Sequence, residues 1–303
     1  MLRRTLFCFL AAAVVLAAAP LVAQEGGLRY TVTVTKFDNQ AGWSGQWDIG
    51  DAWATVMTDI LNQTGQFIVL GETDMRDEAM IEQDLGASGR TAQGGKTAQT
   101  GQLTPAQLLV KGAITHVEGP TQGGSGGIRV RGFRVGGGGS KAEVNATIYM
   151  VDSTTGQVVA STSVVGTSKK RSGRFGYSGA GWGGDIGGFK NDNTGKAVED
   201  AVSQAVDWMV EQLPSVTWSG TVVMTQGDQV YVNRGSREGL SSGTTLSVGE
   251  SMVIRDPDTG EVLDESVKEV AQIRCDTIKE KLSICSVVSG NAGAIQKGMR
   301  VQP

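Results

Sequence analysis

Three short stretches carry residue types that could do chemistry. Gly179, Gly181 and Gly184 match the spacing of a dinucleotide-binding turn, where backbone amides approach a pyrophosphate. Residues 89–97, GRTAQGGKT, end on the Gly-Lys-Thr of a phosphate-binding loop. Asp258-Thr259-Gly260 reproduces the triplet that supplies paired carboxylates in aspartic proteases. None has the surroundings its chemistry needs. The first lies in GYSGAGWGGDIGGF, residues 176–189, which is half glycine; there the match arises by chance, and no helix opens on it. The second has five residues between Gly89 and Gly95 where the motif has four, and no strand precedes it. The third sits in DPDTGE, a turn sequence, without a second copy to form a dyad. His116, the sole histidine, has no partners for a triad or a zinc site. No catalytic, cofactor-binding or metal-ligating residue is assigned, and a non-enzymatic protein is expected.

The positioning elements begin after an export signal. Arg3 and Arg4 precede one apolar run, Leu6 to Ala19, too short to span a bilayer as a helix. Pro20 to Ala23 reads as the cleavage region, with residues 1–23 as the signal peptide. Lipid anchoring is not expected, because Cys8 lies inside the run behind bulky Phe7. Loss of the two arginines moves the formal charge from −4 to −6, and no basic face points to nucleic acid. Cys275 and Cys285 remain, in IRCDTIKEKLSICSVV. This reads as a hairpin turning near Lys279 to Lys281. The even spacing puts both sulfurs on one face, opposite each other if the turn centres on Glu280. In an oxidising compartment a cross-strand disulfide is expected, with two free thiols as the alternative.

Along the chain, RYTVTVTKF alternates as a strand, with Tyr30, Val32 and Val34 on one side. After DNQAGWSGQWD comes an amphipathic helix with the stripe Ile49, Trp53, Val56 and Ile60, capped by Asp48 or Asp51 and ended by Gly65. FIVL at 67–70 is a buried strand, and residues 73–85 look helical. Thr104-Pro105 suits a first helical turn. LLVKGAITHVE at 108–118 is a strand, and residues 142–151 and 156–165 form a hairpin across DSTTG. Residues 194–213 give the strongest helix, stopped by Pro214. Beyond it lie short strands and turns. Two glycine-flanked turns, residues 239–243 and 293–298, each precede a strand. The expected fold is a mixed α+β or α/β domain, a sheet with packed helices, over 24–214, followed by a small all-β, barrel-like domain over 215–303. The first carries glycine-rich insertions at 119–141 and 166–193.

LLVKGAITHVEG, AEVNATIYMVDSTTGQVVASTSVVGTSKK and GKAVEDAVSQAVDWMVEQL resemble the CsgG family of curli assembly and secretion proteins, as do VTKFDNQAG and TGQFIVLGETDM. The resemblance covers roughly Tyr30 to Leu213, and DSTTGQVV is its most specific part. GDQVYVNRGSREGLSSGTTLSV and IRDPDTGEVLDESVKEVAQI resemble the C-terminal domain of FlgT-like proteins. The CsgG resemblance implies a ring in which two insertions per subunit are hairpins of one shared transmembrane β-barrel. It places those insertions at 119–141 and 166–193.

A membrane hairpin needs about 22 residues or more. The insertions have 23 and 28. Their alternation is poor, since Arg129, Arg131 and Arg134 interrupt both faces of GIRVRGFRV. Ile128, Val130, Phe133, Phe175, Tyr177, Trp182, Ile186 and Phe189 are the candidate membrane-hairpin or oligomer contacts. Trp43 and Trp47, in the short loop after the first strand, are the candidate pore-loop or partner contacts. That loop offers no residue-by-residue match to the family's pore constriction, and the acylated cysteine of typical members is missing. The reading is a non-enzymatic, exported, homo-oligomeric scaffold or secretion-channel subunit of the outer-membrane periplasmic space. Its partners would be proteins or secreted cargo, at the outer membrane or the cell surface, without nucleic acid or a cofactor. The alternative is a soluble periplasmic or surface-associated FlgT-like ring protein without a pore.

Overall fold

The computed structural model describes residues 28–92, 94–119, 129–130, 133–134, 142–169, 192–216, 218–260 and 262–303. The alternation of RYTVTVTKF becomes strand β1 (Tyr30–Val34), with Tyr30, Val32 and Val34 buried in the core. β2 (Asp38–Asn39) is a short addition beside the sheet. Helix α1 (Ile49–Thr64) starts where Asp48 accepts the free N–H groups of Gly50 and Asp51 and stops at Gly65, whose φ of +63° suits glycine. Its buried stripe includes Ile49, Trp53, Val56 and Ile60. Phe37, just after β1, stacks on Trp53 with ring centroids 5.2 Å apart.

β3 (Phe67–Val69), helix α2 (Thr73–Ala87) and β4 (Leu108–Glu118) follow. β5 (Arg129–Val130) and β6 (Phe133–Arg134) pair with each other. β7 (Glu143–Asp152) and β8 (Val158–Thr167) join across the DSTTG turn, where Asp152 Oδ1 accepts from Thr154 and Thr155 N–H. The sheet runs β3-β1-β4-β7-β8, with β2 beside β4; β1 is parallel to β3 and β4, and the last two pairings are antiparallel. Helix α3 (Asn193–Gln212) lies over β7 and β8 and against α1. Its stripe of Ala197, Val198, Ala201, Val202, Ala205, Val206 and Met209 is fully buried.

The opposite face of β1 is covered by backbone. Thr31 Oγ1 donates to the Pro105 carbonyl and Thr33 Oγ1 to the Gly71 carbonyl. This corrects one expectation: Thr104-Pro105 starts no helix, because the Gln107 N–H bonds Thr31 and the chain runs extended into β4.

After a 3-10 turn at Leu213–Ser215, β9 (Gly220–Gln226), β10 (Gln229–Val232), β11 (Thr245–Arg255), β12 (Val262–Ile278), β13 (Ser283–Gly290) and β14 (Arg300–Gln302) close a barrel. Its order is β10-β13-β12-β11-β14-β9. Alternate residues fill the interior, among them Val230, Val232, Leu246, Val248, Ile273 and Val301. The two glycine-flanked turns add Leu240 and Ile295 to this core. The barrel meets the sheet where Arg29 N–H donates to the Glu238 carbonyl and Tyr30 Oη to the Val216 carbonyl.

The α1 cap has a defined pH signature. Partial burial alone would push the Asp48 carboxyl up, but hydrogen bonds from Asp51 N–H and Lys36, whose Nζ lies 3.0 Å away, outweigh it and hold it below its ordinary value. Its stabilisation is therefore complete above the unfolded aspartate value, about 3.9, and fades as pH falls through the lower folded value. Asp48→Ala should cost about 1 kcal/mol at neutral pH. In urea titrations this deficit should shrink towards zero at about pH 2.

Candidate functional site

The two insertions interrupt the sheet at one end. β4 ends at Glu118, paired with Glu143 at the start of β7, and Glu143 pairs in turn with Thr167 at the end of β8. Three strand ends thus stand abreast. Ala142 and Ser168 extend the ladder: Ser168 N–H donates to the Ala142 carbonyl, and Ala142 N–H to Ser168 Oγ, each at 3.0 Å. α3 begins beside them, with Asp192 accepting from Thr194 N–H. The Thr167 N–H donates to Asp200 Oδ2 on α3 at 2.9 Å. β8 therefore runs through Gly166 to Thr167, and the second insertion departs just inside the boundaries expected from its glycines.

The loop after β1 reaches the same end. β2 runs parallel to β4 at Ala113 and Ile114. Asn39 clamps Trp43 twice, its Nδ2 donating to the Trp43 carbonyl at 2.7 Å and its Oδ1 accepting from Trp43 N–H at 3.1 Å. The Trp43 ring reaches Gly119, where a Cβ would lie 3.7 Å from it, and stands 5.5 Å centroid to centroid from Trp47. Gly45 makes this packing possible, since a Cβ there would fall 2.2 Å from the Trp43 ring. Trp47 is buried at 7 % exposure, which corrects its reading as a loop contact: it belongs to the core and backs Trp43. Trp43 is half-buried and wedges the base of the first insertion.

The other expected contacts divide in two. Val130 and Phe133 are paired residues of the β5–β6 hairpin, as are Arg129 and Arg134. Ile128, Phe175, Tyr177, Trp182, Ile186 and Phe189 lie outside the described residues, as does the dinucleotide-like glycine match. Asp258-Thr259-Gly260 is a turn, closed by Asp256 Oδ1 on the Asp258 and Thr259 N–H groups. His116 is an exposed strand residue opposite Asn145. No acid, histidine and thiol cluster suited to a metal is present among the described residues. No helix among them is long and apolar enough to cross a membrane.

One further surface lies outside the expected contact residues. β11 and β12 run on past the barrel as a two-stranded arm. Met252, Val253, Ile254 and Leu263 are exposed on it. Period-two alternation assigns these residues to strands, but only closure of the barrel at Val248 and Ala271 shows that the strands outrun their neighbours.

Within the barrel, Cys275 pairs directly with Cys285. Both are buried and carry free thiols, with sulfurs 3.0 Å apart, so the register expected from the turn is present and the bond is not. The Cys275 N–H and carbonyl bond Thr244 and Gly243 on the far side. The cysteines are therefore a non-hydrogen-bonded pair, the closer-spaced kind in an antiparallel ladder, compatible with disulfide geometry. The hydrogen bond to Cys275, together with burial, pushes the Cys285 thiol up. With the pair as the structure has it, protein denatured without reductant is expected to take up an alkylating agent at both Cys275 and Cys285, and an intact mass short by two hydrogens with no uptake would show that the pair oxidises.

A family model described as "Curli production assembly/transport component CsgG" matches residues 18–244, a span that takes in the sheet, its three helices and the first two barrel strands. Among solved structures, the chain is similar to the PelC dodecamer from Paraburkholderia phytofirmans, with 12 % identity over 59 % of this chain and 87 % of that one, at a TM-score of 0.33. It is similar to the hypothetical protein CT253 from Chlamydia trachomatis, with 11 % identity over 61 % and 96 %, at 0.35. It is also similar to the lipoprotein GNA1162 from Neisseria meningitidis, with 13 % identity over 62 % and 99 %, at 0.25. No curated protein matches the sequence.

Proposed function

The chain belongs to the CsgG family of curli production assembly/transport components, and on that premise we propose that it is a non-enzymatic, exported subunit of a homo-oligomeric assembly or secretion scaffold in the outer-membrane periplasmic space. The observation that carries this reading is the shared origin of the two insertions. Their four chain ends are held side by side by the Glu118–Glu143–Thr167 ladder, the Ala142–Ser168 bonds and the α3 cap. In a ring of copies, such an end would bring all insertions to one rim, where they can act on a membrane, on cargo or on each other.

The rest of the reading divides between the two bodies. Residues 24–214 form the assembling domain, and residues 215–303, FlgT-like in sequence, dock a protein partner through the exposed β11–β12 arm. Trp43 sets the angle at which the first insertion leaves. Residues 1–23 are removed on export, and the mature protein works in the periplasm or at the cell surface.

A second reading has its own support. Arg129, Arg131 and Arg134 break both faces of the first insertion, and a lipid-facing barrel strand does not tolerate this at its middle. In that reading the same subunit builds a soluble envelope ring, and the insertions bind partners. Two measurements decide. Detergent-extracted protein is expected to form ring-shaped particles under the electron microscope, and monomers would overturn the assembly. Conductance in planar bilayers that disappears when residues 170–191 are deleted would support a channel. Release by carbonate without detergent would instead leave the soluble ring.

A further inference from the structure

Beside its buried apolar row, α1 carries a polar stripe. Thr55, Thr58, Asp59 and Asn62 follow one another at helical spacing. They form one wall of a groove of about 330 Å³, and Val69, Leu70, Glu72 and Met75 form the other, where β3 turns into α2. This corner is fixed to β1, since the Leu70 N–H donates to the Val32 carbonyl and Thr33 Oγ1 to the Gly71 carbonyl.

Glu72 is the anomaly of the groove. It is only 8 % exposed. It holds the capping position of α2, yet its side chain bonds none of the free helical N–H groups. The Met75 N–H goes to Asp74 Oδ1 instead. The Thr55 and Thr58 hydroxyls lie beside the Glu72 carboxyl, but Thr55 Oγ1 donates to the Asp51 carbonyl. Glu72 Oε1 and Thr58 Oγ1 are both buried without a hydrogen-bond partner. Burial, with the like charges of Asp74 and Asp51, pushes the Glu72 carboxyl above its ordinary value. The basic side chains of this region are engaged elsewhere. Lys36 bridges Asp48 and Asp51, and Arg76 Nη1 donates to the Thr104 carbonyl. Asp59, on the facing wall, accepts only the Gln63 amide.

A buried carboxylate and a buried hydroxyl without partners cost stability until a donor reaches them. The chemistry that answers both is a cation bearing N–H groups. A bare metal ion would need several oxygen ligands at once, and no cluster of three acidic, histidine or cysteine side chains stands together among the described residues. The groove is large enough for an organic ligand, and Val69, Leu70 and Met75 offer an apolar wall to an alkyl stem. A guanidinium reaches two acceptors at once through its rigid fork of N–H donors, and it is more weakly hydrated than an ammonium.

We propose that this groove binds an alkyl guanidinium, the side chain of an arginine on a partner protein, with Glu72 and Thr58 accepting its N–H groups. Saturation-transfer NMR on the mature chain tests this, with butylguanidinium and a capped Ala-Arg-Ala peptide as probes. Both probes are expected to bind, and Glu72→Gln to abolish the transfer. That variant keeps the shape and removes a charge that burial disfavours, so its Tm should match or exceed the wild type. Thr58→Val should weaken binding by about tenfold. Only the ionised carboxyl attracts the cation, so affinity should already fall above pH 4.3, roughly the ordinary glutamate value, as the raised Glu72 carboxyl takes up its proton. No transfer to either probe, transfer that survives Glu72→Gln, or displacement of both probes by an equal concentration of calcium would overturn the site. Transfer to butylguanidinium alone would overturn the protein-borne source and leave a free guanidine as the ligand.

Discussion

α3 lies so close to β8 that Gly166 has no room for a side chain. A Cβ there would fall 2.0 Å from the Ala197 carbonyl and 2.6 Å from the Ala201 Cβ. The approach needs alanine on one side and glycine on the other, and it decides what happens at the end of the sheet. β8 is an edge strand, and edge strands leave backbone groups unpaired. Here α3 supplies partners from its own side chains: Asp200 takes the Thr167 N–H, and the Gln204 amide donates to the Val165 carbonyl at 2.9 Å. The helix does for the end of β8 what a further strand would do.

From this follows the rigidity of the insertion-bearing end. Thr167 is fixed against α3, Glu143 against Thr167 and Glu118 against Glu143, so tension on either insertion spreads through a ladder of backbone bonds. On the other flank the constraint is aromatic. Asn39 holds Trp43 against the base of the first insertion, buried Trp47 supports its ring, and Gly45 leaves the space it occupies. Preorganisation of this kind lowers the conformational freedom that the insertions lose on binding, since their roots are already fixed.

Most of this frame was legible in the sequence because it rests on local rules. Period-two alternation gave β1 and β4, the 3.6-residue stripe gave α1 and α3, and Asp48 with Gly65 marked the ends of α1. The even spacing of Cys275 and Cys285 gave their register across the hairpin. What escaped depends on distant partners. Thr104-Pro105 has the local form of a helix start, yet Thr31, over seventy residues away, holds that stretch extended. Trp47 looked like a loop aromatic because nothing nearby in sequence reveals the core behind it. The candidate site was legible as a location, through its glycine-rich insertions, but not as geometry. The side-by-side roots arise from pairing between strands far apart in the chain.

Helix α2 shows the deeper limit of pattern reading. Periodicity says which residues share a face, and the usual assumption is that the apolar face turns inward. That holds for α1 and α3, whose stripes meet each other and the sheet. In α2 the direction is set by Gly86 against the Ala98 carbonyl and by Arg76 on Thr104, contacts that need a small residue and a long donor rather than an apolar stripe. The helix can then carry Ile81 outward without loss of its own seat. The β11–β12 arm follows the same logic, since the barrel closes without its exposed apolar residues. In both places the fold is complete before these side chains are used. Apolar surface that folding does not require is available for association between molecules, and among the described residues it includes side chains of α2, of the β7–β8 face and of the arm.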